Sequence, residues 1–239
     1  MSYQMIFKRY ELKYMLTQEQ KAIILEAMAP YMAQDKYGEA MIRNIYFDTT
    51  NYRLIRRSLE RPAYKEKLRI RSYQQVNKED DVFVELKKKY DSIVYKRRIV
   101  LPEQQVMDCL CNGKPIQEDS QIADEINYFC SYYGDLRPAV FLSYYREAFY
   151  SLDGSDFRIT FDNQILYRQN HLSLTEDIFG MPVMDPKMSL MEIKTSGGIP
   201  LWLTALLSEH KIFKTSFSKY GTAYKKILQT EAQGGLLYA

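Results

Sequence analysis

The strongest constraint on this fold is charge placed inside stretches that have the period of a β-strand. In Lys67-Leu68-Arg69-Ile70-Arg71 the cations occupy every second position, and Glu85-Leu86-Lys87 alternates in the same way. Successive strand side chains point to opposite faces, so each segment has one charged and one apolar face. Arg146 shares a face with Tyr144, Arg158 with Asp162, and Glu192 with Lys194. A sheet with one face on a core and the other in water also alternates. Solvated faces, however, are mixed with Thr, Ser and Gln, whereas here strand after strand presents Arg or Lys with an occasional Glu.

Several helical patterns are available to cover the apolar faces. The charged faces then point inward, and a closed antiparallel β-barrel is an architecture that encloses them. The expected fold is therefore α+β and β-dominated: a barrel or tunnel of about eight strands with helices packed outside. The 239 residues, 46% hydrophobic, suffice for one such domain over 1–239, with its core at about 7–228. Twenty-one Tyr bring the aromatic content to 14%, which suits broad, half-buried sheets.

Along the chain, strands are expected at 7–14, 42–48, 65–73, 82–89, 93–101, 140–151, 157–161 and 189–195. Thr17 and Gln20 form a capping-box pattern before a helix that Pro30 interrupts. Further helices are expected at 51–59, 102–110, 121–133, 201–210 and 219–228, with a fraying tail at Gly234-Gly235. Residues 74–81 and 90–92 read as turns and 167–186 as mostly loop.

Composition excludes several classes. Thirty-three basic and 30 acidic residues give a net charge of +3, unlike a nucleic-acid-coating polycation. Cys109, Cys111 and Cys130 show neither a disulfide framework nor a zinc spacing, and fit a reducing cytoplasm. No apolar run is long enough for a membrane-spanning helix. Gly197-Gly198 lacks P-loop or dinucleotide context, and His171 and His210 stand far apart.

Many cations in an enclosed space need an anion, because desolvation costs several kcal/mol per ion without partners. Arg offers bidentate donors to phosphate oxygens and Lys a point charge, so the mixture suits several phosphates in file. Glu11, Glu85 and Glu192 either hold a hard divalent cation that bridges phosphates or serve as internal ion-pair partners. Of Lys96-Arg97-Arg98, either Lys96 and Arg98 or Arg97 alone faces inward, and alternation does not decide which.

The ordered motifs Arg9-x-Glu11-x-Lys13-Tyr14, Tyr46-Phe47-Asp48-Thr49, Lys67-x-Arg69-x-Arg71, Glu85-x-Lys87, Tyr144-x-Arg146, Glu192-x-Lys194 and Phe217-Ser218-Lys219-Tyr220 resemble the VTC domain of the CYTH-like triphosphate tunnel enzymes. The resemblance implies an antiparallel tunnel in which the γ-phosphate of ATP passes to a polyphosphate chain with Mn²⁺ or Mg²⁺. It implies Lys13, Arg69, Arg71, Lys87, Arg146, Lys194 and Lys219 as catalytic cations lining the tunnel. Glu11, Glu85, Lys96, Tyr144, Arg158 and Ser218 would contact substrate, and Glu192 would bind the metal. Partners would be ATP with polyphosphate, triphosphate or pyrophosphate, without nucleic acid. Two rival readings are hydrolysis of a triphosphate and polyphosphate binding without turnover. Arg9 stands where hydrolytic relatives carry a first Glu, which argues against a simple triphosphatase. Ser216 stands where fungal polymerases carry a basic residue, which removes one phosphate contact.

Overall fold

The computed structural model describes residues 10–91 and 93–236, so Arg9 and Ser92 lie outside the described residues. Ten strands among them form one sheet. They are β1 (Tyr10–Thr17), β2 (Met32–Asp48), β3 (Tyr64–Ser72), β4 (Asp81–Tyr90), β5 (Ile93–Pro102), β6 (Arg137–Ser151), β7 (Arg158–Arg168), β8 (Met181–Pro182), β9 (Met188–Thr195) and β10 (Lys214–Thr215). The helices are α1 (Gln18–Met28), α2 (Arg53–Leu59), α3 (Glu103–Asn112), α4 (Gln121–Tyr133), α5 (Leu201–Glu209) and α6 (Lys219–Leu236).

The expected closed barrel of about eight strands is corrected on both counts. The sheet is an open path, β10-β1-β9-β7-β6-β2-β3-β4-β5, with β8 attached to β7. Closure requires the two edge strands to pair along their length. One edge, β10, is only two residues long, and both pair with β1. The count rises because two short strands were not expected, β8 within 167–186 and β10 at Lys214–Thr215; in addition β2 begins ten residues before the expected 42 and β7 runs on to Arg168. Likewise α6 continues through the expected fraying tail to Leu236.

The described residues group into two compact units. The first takes 10–41, 144–165 and 184–217. Its apolar core joins Leu16, Ile24, Met28, Ile159, Phe161, Met191, Ile193 and Leu203. The capping box at the start of α1 forms as expected: Gln20 N donates to Thr17 Oγ1 (3.1 Å) and Thr17 N to Gln20 Oε1 (3.0 Å).

The second unit takes 42–143, 166–183 and 218–236. Here α3 and α4 lay Val106, Leu110, Ile126 and Phe129 on Leu68, Ile70, Val84, Leu86, Ile99 and Leu101, the apolar face of β3–β5. Ser120 caps α4 by accepting from Ala123 N, and Gly113 and Gly134 end α3 and α4 at φ 67° and 72°. The 169–180 loop is pinned by two guanidinium groups. Arg168 lies between the Phe141 and Phe179 rings, at 3.7 and 4.2 Å, and donates to the carbonyls of His171, Ser173, Asp177 and Phe179. Arg43 donates to the carbonyls of Leu174 and Glu176.

Candidate functional site

In the second unit, antiparallel register turns the alternation of single strands into rows. Tyr46 of β2 stands opposite Arg69 of β3, Arg69 opposite Glu85 of β4, and Glu85 opposite Arg98 of β5. The next row is Lys67, Lys87 and Lys96, and on the other side Asn44 pairs with Arg71. Lys67, Arg69, Arg71, Lys87, Lys96 and Arg98 thus share one face with the carboxylate of Glu85. Arg71 and Glu85 are buried and four of the other five cations are half-buried, Lys96 alone being exposed, so this is no ordinary solvated sheet face.

Register also settles the open alternative on β5. Lys96 and Arg98 lie on the charged face. Arg97 lies on the opposite face, where Glu125 of α4 receives it at 3.1 Å.

Glu85, 1% exposed, is the hub of the cluster. Its Oε2 accepts from Arg69 Nε (2.8 Å) and Nη2 (2.6 Å), while its Oε1 meets Lys96 Nζ (2.7 Å) and Arg98 Nε (2.9 Å). Burial raises its pKa, but Arg69, Arg71 and Lys96 outweigh burial and hold it well below the usual carboxylate range. Arg71 is oriented by Asn44, whose Oδ1 accepts from Nε at 2.9 Å and whose amide donates to Leu142 O. Ser218 and Lys219 open α6, where Ser218 Oγ accepts from Gly221 N (3.1 Å) and from Lys67 Nζ (3.4 Å). Asp48 fixes this helix to α2: its Oδ2 receives Tyr220 Oη (2.8 Å) and Ile55 N (3.0 Å), and its Oδ1 receives Leu54 N.

The first unit gathers the remaining expected residues. Glu11 pairs with Lys194 and Lys13 with Glu192 across β1–β9, and Arg158 pairs with Lys194 and Thr160 with Glu192 across β9–β7. Lys13 Nζ donates to Phe217 O (3.0 Å) and meets Glu11 and Glu192 at 3.2 and 3.3 Å. Arg146 grips Asp162 with two bonds of 2.6 Å, reaches Glu192 at 3.1 Å, and lies 5.2 Å from the centre of the Tyr144 ring. Burial and then Arg146 bring the Lys194 pKa down to about 8, against the pull of Glu192 and Glu11. Arg158 is exposed. Carboxylates nearly balance cations in this cluster, whereas cations dominate the other.

The expected site residues therefore divide. Arg69, Arg71, Glu85, Lys87, Lys96, Ser218 and Lys219 belong to the second unit, and Glu11, Lys13, Tyr144, Arg146, Arg158, Glu192 and Lys194 to the first. Sequence reasoning missed Tyr46 and Asn44, and left Arg98 as one of two open alternatives. Each becomes visible only through its cross-strand partner, although Tyr46 was present in a motif.

For a divalent ion, the donor chemistry fits in a limited way. Among the described residues no three His, Cys, Asp or Glu side chains are grouped to form a cage. Glu192, 5% exposed and bordered by Lys13 and Arg146, offers one hard oxygen ligand. That suits Mg²⁺ or Mn²⁺ held mainly by substrate phosphates and water.

Three comparisons bear on identity. A candidate adenylate cyclase from Bacillus halodurans has a similar fold, at 15% identity and a TM-score of 0.53, with 89% of this chain and 94% of that one covered. A Pyrococcus horikoshii protein matches at 17% identity, TM-score 0.45 and coverage of 94% and 98%. A candidate adenylate cyclase from Vibrio parahaemolyticus matches at 14%, 0.45, and 95% and 99%. At these identities the first shows likeness of fold alone, and the other two carry no argument. No curated protein matches in sequence. The family model of the VTC domain, however, matches residues 8–228, nearly the whole length and a span that contains all seven motifs. The chain belongs to the VTC-domain family.

Proposed function

We propose that this chain is a polyphosphate polymerase, passing the γ-phosphate of ATP to the end of a polyphosphate chain. The observation that carries the reading is the row Lys67-Lys87-Lys96 beside the row Arg69-Glu85-Arg98. Like charges directly opposite one another in a sheet repel, so this row of three lysines, two half-buried and Lys96 exposed, favours an anion beside it. Guanidinium groups held in place by Glu85 and Asn44 are pre-organised to receive phosphate oxygens, and this supports catalysis by positioning and charge stabilisation.

In this reading Arg69, Arg71, Lys87, Lys96, Ser218 and Lys219 hold phosphates. Lys13, Arg146, Lys194, Tyr144 and Arg158 supply further contacts, with Glu11 holding Lys13. Glu192 would hold a divalent ion, which supplies charge neutralisation on phosphate oxygens when bound. Little covalent chemistry falls to the protein. Among the described residues no helix is long and apolar enough to cross a membrane; a single 1–239 domain and a cytoplasmic setting belong to the proposal.

Purified protein incubated with ATP and Mn²⁺ or Mg²⁺ should yield a ladder of polyphosphate on a gel. Release of ADP and phosphate without a ladder would make it a hydrolase in the same site. A second reading, binding without turnover, is favoured by the engagement of Glu11 and Glu192 in ion pairs with Lys13 and Arg146. Tight polyphosphate binding with no consumption of ATP would establish that reading instead.

A further inference from the structure

Tyr46 has no role in the function proposed above, yet it lies within the second unit's cationic cluster. It is 8% exposed, and its Oη accepts from Arg69 Nη1 at 2.9 Å. Its ring stacks on Tyr220 at 4.8 Å, and Tyr220 in turn gives its own proton to Asp48. The phenol of Tyr46 also has a proton to give. Among the described residues no acceptor is bonded to it. A buried hydroxyl with an unused donor, placed beside phosphate-binding cations, lacks only an anionic oxygen.

We infer that Tyr46 binds the anion directly, donating its phenol O–H to a phosphate oxygen that Arg69 and Lys67 neutralise, so that the neutral phenol is the binding form. This rests on the phosphate-site reading above and adds a residue to it. The charged groups facing the phenol are Lys67, Arg69 and Arg71 of β3, with Glu85 of β4 behind Arg69; from α6 it meets the neutral Tyr220, and through it Asp48. Burial raises the Tyr46 pKa, but Arg69, Lys67 and Arg71 outweigh burial and bring it to about 8. Above that value the phenolate has no proton to donate and repels phosphate. A bound anion, conversely, favours the protonated phenol and pushes its titration upward.

The experiment is calorimetric titration of wild type and Tyr46→Phe with inorganic tripolyphosphate, metal-free and at constant ionic strength, across the pH range around the phenol's titration. Absorbance of phenolate is followed in parallel. At neutral pH the variant should bind roughly tenfold more weakly, the effect of one hydrogen bond to a charged group. That ratio should fall as pH rises through the phenol's titration and pass below one where the phenolate repels the anion. In a Tyr73→Phe background, which removes the other phenol whose pKa burial raises but Arg71 and Arg98 bring down further, an early phenolate should appear that is missing once Tyr46 is also Phe and that tripolyphosphate delays. Equal affinities at neutral pH, or a ratio that does not change with pH, would overturn the inference while leaving the phosphate site standing. No binding by wild type would overturn both. If the Tyr46 variant fails to fold, the phenolate signal of the Tyr73→Phe protein decides: no delay on adding tripolyphosphate refutes the direct contact.

Discussion

Replacing Glu85 by Gln keeps the shape of the cluster's hub and removes its charge. The carboxylate is 1% exposed and serves Arg69, Lys96 and Arg98 together. Removing one member of a buried ion cluster costs about 3–5 kcal/mol. The Lys96 and Arg98 side chains keep 43% and 33% of their exposure, so water recovers part of the loss and about 3 kcal/mol is expected. For a chain of this length that is a fall in Tm of roughly 6–12 °C. Because the folded-state pKa of Glu85 is depressed, its contribution is full above the unfolded carboxylate value of about 4.3 and is lost as pH falls toward the folded value. The difference in Tm between wild type and variant should thus be steady near neutrality and close in acid. Saturating tripolyphosphate should raise the variant's Tm more than the wild type's, since phosphate takes over as counter-ion. Thermal unfolding followed by circular dichroism, with and without tripolyphosphate, measures both. A Tm shift under about 1 °C, or an equal gain from the anion, would refute Glu85 as the internal counter-ion.

Arg146→Ala should abolish turnover and also lower stability by about 3 kcal/mol, because Asp162, fully buried, loses both of its short bonds. Arg146→Met with Asp162→Asn should recover the stability but not the activity, as denaturant unfolding beside an activity assay would reveal. Lys194 is depressed to about 8, so its buried charge destabilises the fold below that pH, and the penalty fades as the amine deprotonates. Relative to Lys194→Met, wild type should gain roughly 2 kcal/mol as pH rises from about 7 to 10; a flat difference in urea midpoints would contradict this. Arg168→Ala should free the 169–180 loop, with a loss of about 3 kcal/mol and rapid protease cleavage in that segment. Glu192→Gln should weaken the Mn²⁺ dependence of turnover before it weakens ATP binding, and an unchanged Mn²⁺ titration would place the ion elsewhere.

Residue spacing alone determined which side chains share a face of a strand. Lys67, Arg69 and Arg71 were assigned together, apart from Leu68 and Ile70, because the period of two is a local property of extended backbone. The capping box at Thr17 and the stops at Gly113 and Gly134 were legible for the same reason: each is satisfied within a few residues. Motif order sufficed for the family.

The tertiary structure alone decided what lies across from what. Lys96 could be separated from Arg97 only by the register of β5 on β4, and Arg98 joined Glu85 through that same pairing. Tyr46 entered the cluster because β2 sets it opposite Arg69, a contact spanning 23 residues of sequence. Whether the sheet closes was equally hidden, since closure depends on two edge strands far apart in the chain, and the two-residue β10 leaves that edge short. Alternation assigns a side chain to a face; pairing between distant strands assigns it a neighbour, and charge acts through neighbours.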